Sequence, residues 1–175
     1  MIIPTPTTHA FVTGSSEGFA PLNAFDGALL DAGIGNTNLL KMSSIVPPGT
    51  QELQVLQLAL PPGALVPIAY ASMLSDIPGS IISAAVAAAW SDDAEKPGLI
   101  MEYNAHGHRG DAEAIVRRMA EEGIKARGWS LGRIQSVSID HRVTKIGAAF
   151  AGLILWTGGP VVEEDDFIEN TGSQE

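Results

Sequence analysis

Ile81 to Trp90 is the longest apolar stretch in the chain, ten residues interrupted only by Ser83. That is about half of what a membrane-crossing helix requires, so the run belongs to a protein core. Its alanines favour a helix on propensity alone. The turn Ser75-Asp76-Ile77-Pro78-Gly79 before it and the strand-like segments around it favour a buried strand, and we assign it as one.

The neighbours extend that pattern. Gln51 to Leu60, Gly63 to Leu74, Gly98 to Tyr103, Ile134 to Thr144 and Gly147 to Trp156 all read as strands separated by turn residues. Thr37 to Val46 reads as a further strand, stopped by Pro47 and Pro48. Two segments are helical. In Pro21 to Ala32 the residues Leu22, Phe25 and Leu29 recur on one face, Asp26 borders that face and is expected to be partly buried, and Gly33 ends the helix. In Asp111 to Glu122, Asp111 is the expected N-cap, Ala112, Ile115 and Met119 form the core face, and Gly123 is the stop. Many strands with two helices predict an α/β fold in layers, with helices covering the sheet faces.

With 175 residues, 45% of them apolar and 17% charged, the chain suits one domain that buries its own core. There is no cysteine, which removes thiolate metal sites, catalytic thiols and disulfides. Met1 to Phe11 lacks the basic start and long apolar run of a signal peptide, so a cytoplasmic protein without membrane attachment is expected. A net charge of −10 argues against nucleic acid, whose phosphates require clustered Lys and Arg. Much of that charge is local, in Glu163, Glu164, Asp165, Asp166, Glu169 and Glu175, and residues 158–175 are expected to be a solvated, disordered tail.

Several residues bear on chemistry. Gly33-Ile34-Gly35 follows a helix and lacks a third glycine, which speaks against a phosphate loop. His106 and His108 lie near Asp111 and Glu113, but their glycine-containing loop fits solvent exposure better than metal ligation, and no metal is expected. His141, within an apolar strand, is expected to be a hydrogen-bonded structural residue. Ser43-Ser44 stands just before Ile45-Val46-Pro47-Pro48, where the chain must change direction, and a serine pair alone signals nothing more than a strand end.

Its surroundings are more specific. Pro21-Leu22-Asn23-Ala24-Phe25-Asp26 through Gly33-Ile34-Gly35-Asn36-Thr37-Asn38-Leu39-Leu40-Lys41-Met42-Ser43-Ser44-Ile45-Val46-Pro47-Pro48 resembles the pyruvoyl-dependent arginine decarboxylases. So do Gly63-Ala64-Leu65-Val66-Pro67, Ser75-Asp76-Ile77-Pro78-Gly79, Gly98-Leu99-Ile100-Met101-Glu102-Tyr103, Arg127-Gly128-Trp129 and Leu155-Trp156. The match runs through most of residues 10–157; the loop from Asn104 to Gly110 and the acidic tail resemble the family least.

The resemblance implies self-processing. The Ser44 hydroxyl attacks the Ser43 carbonyl and converts the peptide bond to an ester; β-elimination then cuts the chain; the dehydroalanine left at position 44 hydrolyses to a pyruvoyl group and ammonia. A β chain of residues 1–43 and an α chain of residues 44–175 result, with residues 1–157 forming the decarboxylase domain. The ketone condenses with the substrate's α-amine and accepts the electrons left when carbon dioxide departs, so no pyridoxal phosphate is needed.

By the same resemblance Glu102 reprotonates the α-carbon. Alternation places Glu102 on one strand face with Ile100, opposite Leu99, Met101 and Tyr103, and a carboxyl among apolar groups holds a proton near neutral pH. Asn38 corresponds to an asparagine that positions the scissile carbonyl or the pyruvoyl group; six residues from Ser44, it would share a face with it on a regular strand. Asp26 corresponds to the carboxylate that binds the guanidinium of arginine through paired hydrogen bonds. The implied reaction is arginine to agmatine and carbon dioxide, feeding polyamine biosynthesis. The implied fold is a single-domain α/β/β/α sandwich, and the implied assembly is a homotrimer with active sites between subunits. Two other readings are the same cofactor chemistry on histidine or aspartate, and an uncleaved, non-enzymatic homologue acting as a trimeric binding protein.

Overall fold

The computed structural model describes residues 4–157. The chain runs β1 (Thr8–Glu17), α1 (Pro21–Asp31), β2 (Asn38–Lys41), β3 (Ile45–Val46), β4 (Gln51–Glu52), a 3-10 turn (Val55–Leu58), β5 (Leu65–Ser75), β6 (Ile81–Ser91), β7 (Gly98–His106), α2 (Arg109–Ala126), β8 (Leu131–Arg142) and β9 (Gly147–Trp156). The strands form two sheets, one ordered β2-β5-β9-β1-β4 and the other β3-β7-β6-β8.

β6 explains the layering. Ala84, Val86 and Ala88 point into the core between the sheets, while Ala85, Ala87 and Ala89 lie under α2. Alanine is a good helix former, yet here its smallness lets two layers close onto one strand, and the ladders to β7 and β8 override local propensity. β9 does the same in the other sheet: Ala148, Phe150 and Ile154 face α1, and Ala149, Ala151, Leu153 and Leu155 face inward. The result is the α/β/β/α sandwich, with α1 outside the first sheet and α2 outside the second.

The helices occupy their expected places, with Leu29 and Phe25 of α1 and Ala112 of α2 against the core as expected, but each is rotated so that one expected core residue faces out. In α1 the buried residues are Ala24, Ala28 and Leu29, whereas Leu22 is exposed. A side chain at Gly14 of β1 would collide with the Ala28 carbonyl, so the helix rests directly on the strand and only small residues fit beneath it. Asp26 is exposed, not partly buried, because the inward rotation of Ala24 and Ala28 carries it to the solvent side. In α2 the core face is Ala112, Val116, Ala120 and Ile124, while Ile115 is exposed. Gly123 does not stop this helix: a side chain there would strike Leu99, so glycine permits close packing within the last turns. α2 also begins before Asp111, where Asp140 of β8 accepts the Arg109 N–H at 3.0 Å.

Two expected strands differ more. Gln51 to Leu60 supplies only a two-residue strand before turning at Val55–Leu58. Thr37 to Val46 is not one strand but two short ones in different sheets. Among the described residues no helix is long and apolar enough to cross a membrane. The acidic segment of residues 158–175 lies outside the described residues.

Candidate active site

The division of Thr37 to Val46 builds the site. β2 runs parallel to β5 at the edge of the first sheet, pairing Asn38 with Leu65 through Lys41 with Ile68. The Met42 N–H still donates to the Ile68 carbonyl, at 3.1 Å. Beyond it the chain leaves that sheet. The Ser44 carbonyl accepts from the Ile100 N–H at 2.8 Å, and Ile45 and Val46 then pair antiparallel with Leu99 and Gly98 of β7. Ser43-Ser44 is therefore the crossover between sheets and belongs to neither β2 nor β3. Met42 and Val46, on either side of it, both pack into the core between the sheets.

Glu102 lies on β7 two residues beyond Ile100, about 7 Å along an extended strand. As alternation predicts, Ile100 faces the inter-sheet core, whereas Leu99, Met101 and Tyr103 pack toward α2. The Glu102 Oε2 atom is buried and has no hydrogen-bond partner among the described residues. Burial pushes the Glu102 carboxyl above the usual carboxylate range, and the nearby Lys41 ammonium partly opposes that shift. Lys41 Nζ lies 3.8 Å from Oε1.

Lys41, which sequence reasoning did not single out, is held on three sides. Its ammonium donates to the Tyr70 carbonyl at 3.1 Å and stands 4.5 Å from the centre of the Tyr70 ring. That ring packs in turn on Phe150 and Phe25. Lys41, Tyr70, Ser72, Glu102, Tyr103 and Asn104 line a cleft of about 450 Å³. At its rim the Asn104 side-chain amide donates to the Ser72 carbonyl at 2.7 Å and ties the two sheets together.

The structure thus brings Ser43, Ser44 and Glu102 to one edge of the sandwich. Asn38 stands at the other end of β2, where its side chain donates to the Gly63 carbonyl at 3.0 Å. The break after Lys41 removes the regular strand on which Asn38 and Ser44 would have shared a face. Neither Asn38 nor the exposed Asp26 lines the Lys41–Glu102 cleft.

The three histidines singled out in the sequence lie outside this cleft. His141 Nε2 lies 2.7 Å from Glu17 Oε1, the structural bond expected of it. His106 closes β7, so the loop expected from Asn104 is partly strand, and His108 pairs with Asp140 at 3.3 Å. Among the described residues no group of three His, Cys, Asp or Glu side chains is placed to hold a metal ion.

The geometry defines a crossover serine pair near a cleft that holds one half-buried carboxyl. The chain belongs to the pyruvoyl-dependent arginine decarboxylase family, whose model matches residues 8–158. It is 53% identical over 152 residues to a pyruvoyl-dependent arginine decarboxylase of Methanocaldococcus jannaschii, a match covering 86% of this chain and 90% of the relative. Proteins of the same description from Methanococcus aeolicus and Pyrococcus abyssi are 47% and 43% identical, covering 86% and 87% of this chain and 90% and 96% of their own lengths.

Proposed function

We infer that this chain decarboxylates arginine to agmatine and carbon dioxide, using a covalent pyruvoyl group made from its own Ser44. One observation carries the reading: Glu102, with a buried oxygen that has no partner among the described residues, stands two residues along β7 from the residue that holds the Ser44 carbonyl. The local residues fit the group, since Ser44 supplies the β-oxygen that elimination must expel and lies at a crossover outside both strands. Such a ketone, once formed, supplies a sink for the electrons released with carbon dioxide.

The chain's own residues do the rest. Glu102, whose burial favours the protonated form, delivers a proton to the substrate α-carbon. Asp26 binds the guanidinium, and Asn38 positions the reacting carbonyl. Cutting after Ser43 leaves β1 paired with β9 along its whole length, and β2 paired with β5, so the two products stay in one fold. The assembly is a trimer whose sites lie between copies. That Asp26 and Asn38 stand apart from the cleft in a single chain supports a site completed by a second copy.

The test is a denaturing mass spectrum of purified protein with and without a carbonyl-reactive hydrazine, paired with an assay of carbon dioxide release from arginine. Two chains divided after Ser43, the larger carrying the adduct, together with arginine turnover, are the expected result. An undivided chain of 18.3 kDa with neither adduct nor turnover overturns the reading.

A further inference from the structure

We infer that Lys41 is the positioning residue for Glu102: its ammonium holds a positive charge against Oε1 while the carboxyl delivers its proton to the substrate α-carbon. The inference rests on the reading of Glu102 as proton donor. Its basis is an asymmetry between the two carboxyl oxygens. Oε1 faces the Lys41 ammonium at 3.8 Å, whereas Oε2 is buried with no partner among the described residues.

A separation of 3.8 Å is too long for a hydrogen bond. Lys41 therefore acts on Glu102 as a fixed charge and does not compete for its proton. The charge is fixed because the Tyr70 carbonyl and the Tyr70 ring hold the ammonium from two further directions. β6, the strand paired with β7 on its other side, places Val86 opposite Glu102. The ionisable side chains sharing the cleft with Glu102 are Lys41, Tyr70 and Tyr103, and Lys41 is the cation among them.

Proton delivery makes this charge useful. An O–H bond of the Glu102 carboxyl breaks, a C–H bond forms at the substrate α-carbon, and Glu102 is left as a half-buried carboxylate facing Lys41 until solvent returns the proton. An anion appearing in that position is costly unless a cation already faces it. Lys41 supplies that cation without reorganisation, from the segment immediately before the scissile serine pair.

The experiment follows Glu102 directly. The infrared carbonyl stretch of its protonated side chain, assigned by its loss in Glu102→Gln, is titrated in the processed wild-type enzyme, in Lys41→Met and in Lys41→Arg. An opposite charge at this distance moves a carboxyl by about one to three pH units, and Lys41 is 54% exposed, so about one unit is expected. Removing the cation raises the midpoint in Lys41→Met by that amount, and Lys41→Arg returns it close to wild type. In parallel kcat falls roughly tenfold in Lys41→Met, with KM for arginine changed less than about twofold.

A Lys41→Met midpoint within a few tenths of a unit of wild type, or no protonated band in the wild type, overturns the inference. The same titration in uncleaved Ser44→Ala, with and without Lys41→Met, reads the pair independently of processing. Full turnover by Glu102→Gln removes the donor reading itself and this inference with it. An inactive Glu102→Gln beside an unshifted Lys41→Met removes only the role of Lys41.

Discussion

Glu17 and Glu102 are treated in opposite ways by the same fold. Glu17, at the end of β1, reaches the turn between β8 and β9: Oε1 accepts from His141 Nε2 at 2.7 Å and Thr144 N–H at 2.8 Å, and Oε2 accepts from the N–H groups of Lys145 and Ile146. Against the upward push of desolvation, those donors hold its pKa at about 2. Among the described residues Glu102 has one cation at ion-pair distance and one buried oxygen without a partner, and desolvation raises its pKa. A carboxylate with every lone pair matched fastens a loop. One buried without a partner destabilises its own anion and is fitted to carry a proton.

The strongest way to break this contrast is to remove what the Glu102 side of the molecule is built to serve. Ser44→Ala has no β-oxygen to eliminate, so it should remain a single chain by mass spectrometry and show no measurable arginine turnover. Glu102→Gln cannot deliver a proton; its kcat should fall by about 10² to 10⁴, measured on protein shown by mass spectrometry to have divided. A Glu102→Gln enzyme of normal kcat would make Glu102 a second structural carboxylate.

The two glutamates also differ in how legible they were. Glu102 was singled out by the family resemblance, and its face was readable because β7 alternates cleanly: Ile100 turns inward, Leu99 and Met101 outward, and Glu102 shares the side of Ile100. β6 and β9 were readable for a similar reason, as apolar runs bounded by turns. The role of Glu17 was not, since its four donors come from the far end of the chain and a lone glutamate after Ser15-Ser16 announces none of them. The same limit hid Lys41, whose partner arrives on β7, and the crossover at Ser43-Ser44. The pattern from Thr37 to Val46 suits one strand or two, and only the competing ladders of β5 and β7 decide. On α1 and α2 Leu22 and Ile115 were misplaced: the helices close onto the sheets through Ala24, Ala28, Ala112 and Ala120, which turns those two larger residues outward.

Asp26 tests whether the processing edge and the specificity edge are separable. Exposed on α1, it takes no part in the crossover, so Asp26→Ala should divide normally. If it reads the guanidinium, its loss should reduce kcat/KM for arginine by roughly 10- to 100-fold, as expected for a charge-assisted hydrogen-bonded pair. Unchanged kcat/KM would remove arginine recognition from Asp26 and favour the same chemistry on another amino acid.

The smallest effect, and the one that isolates the structural half of the contrast, belongs to Glu17→Gln. An amide can replace only one of the two accepting oxygens, and its NH₂ then faces backbone N–H donors, so a loss of about 1 to 3 kcal/mol in urea unfolding is expected. The pH dependence gives the sharper result. A folded pKa of about 2, below the ordinary value of 4.5, means the wild-type carboxylate contributes fully above about pH 4.5 and loses that contribution as pH falls toward 2. The urea midpoints of wild type and Glu17→Gln should therefore differ most near neutrality and converge through that acid range. A gap that stays constant down to pH 2 would show that the clasp does not depend on the ionised carboxylate, and the distinction between the two glutamates would then rest on Glu102 alone.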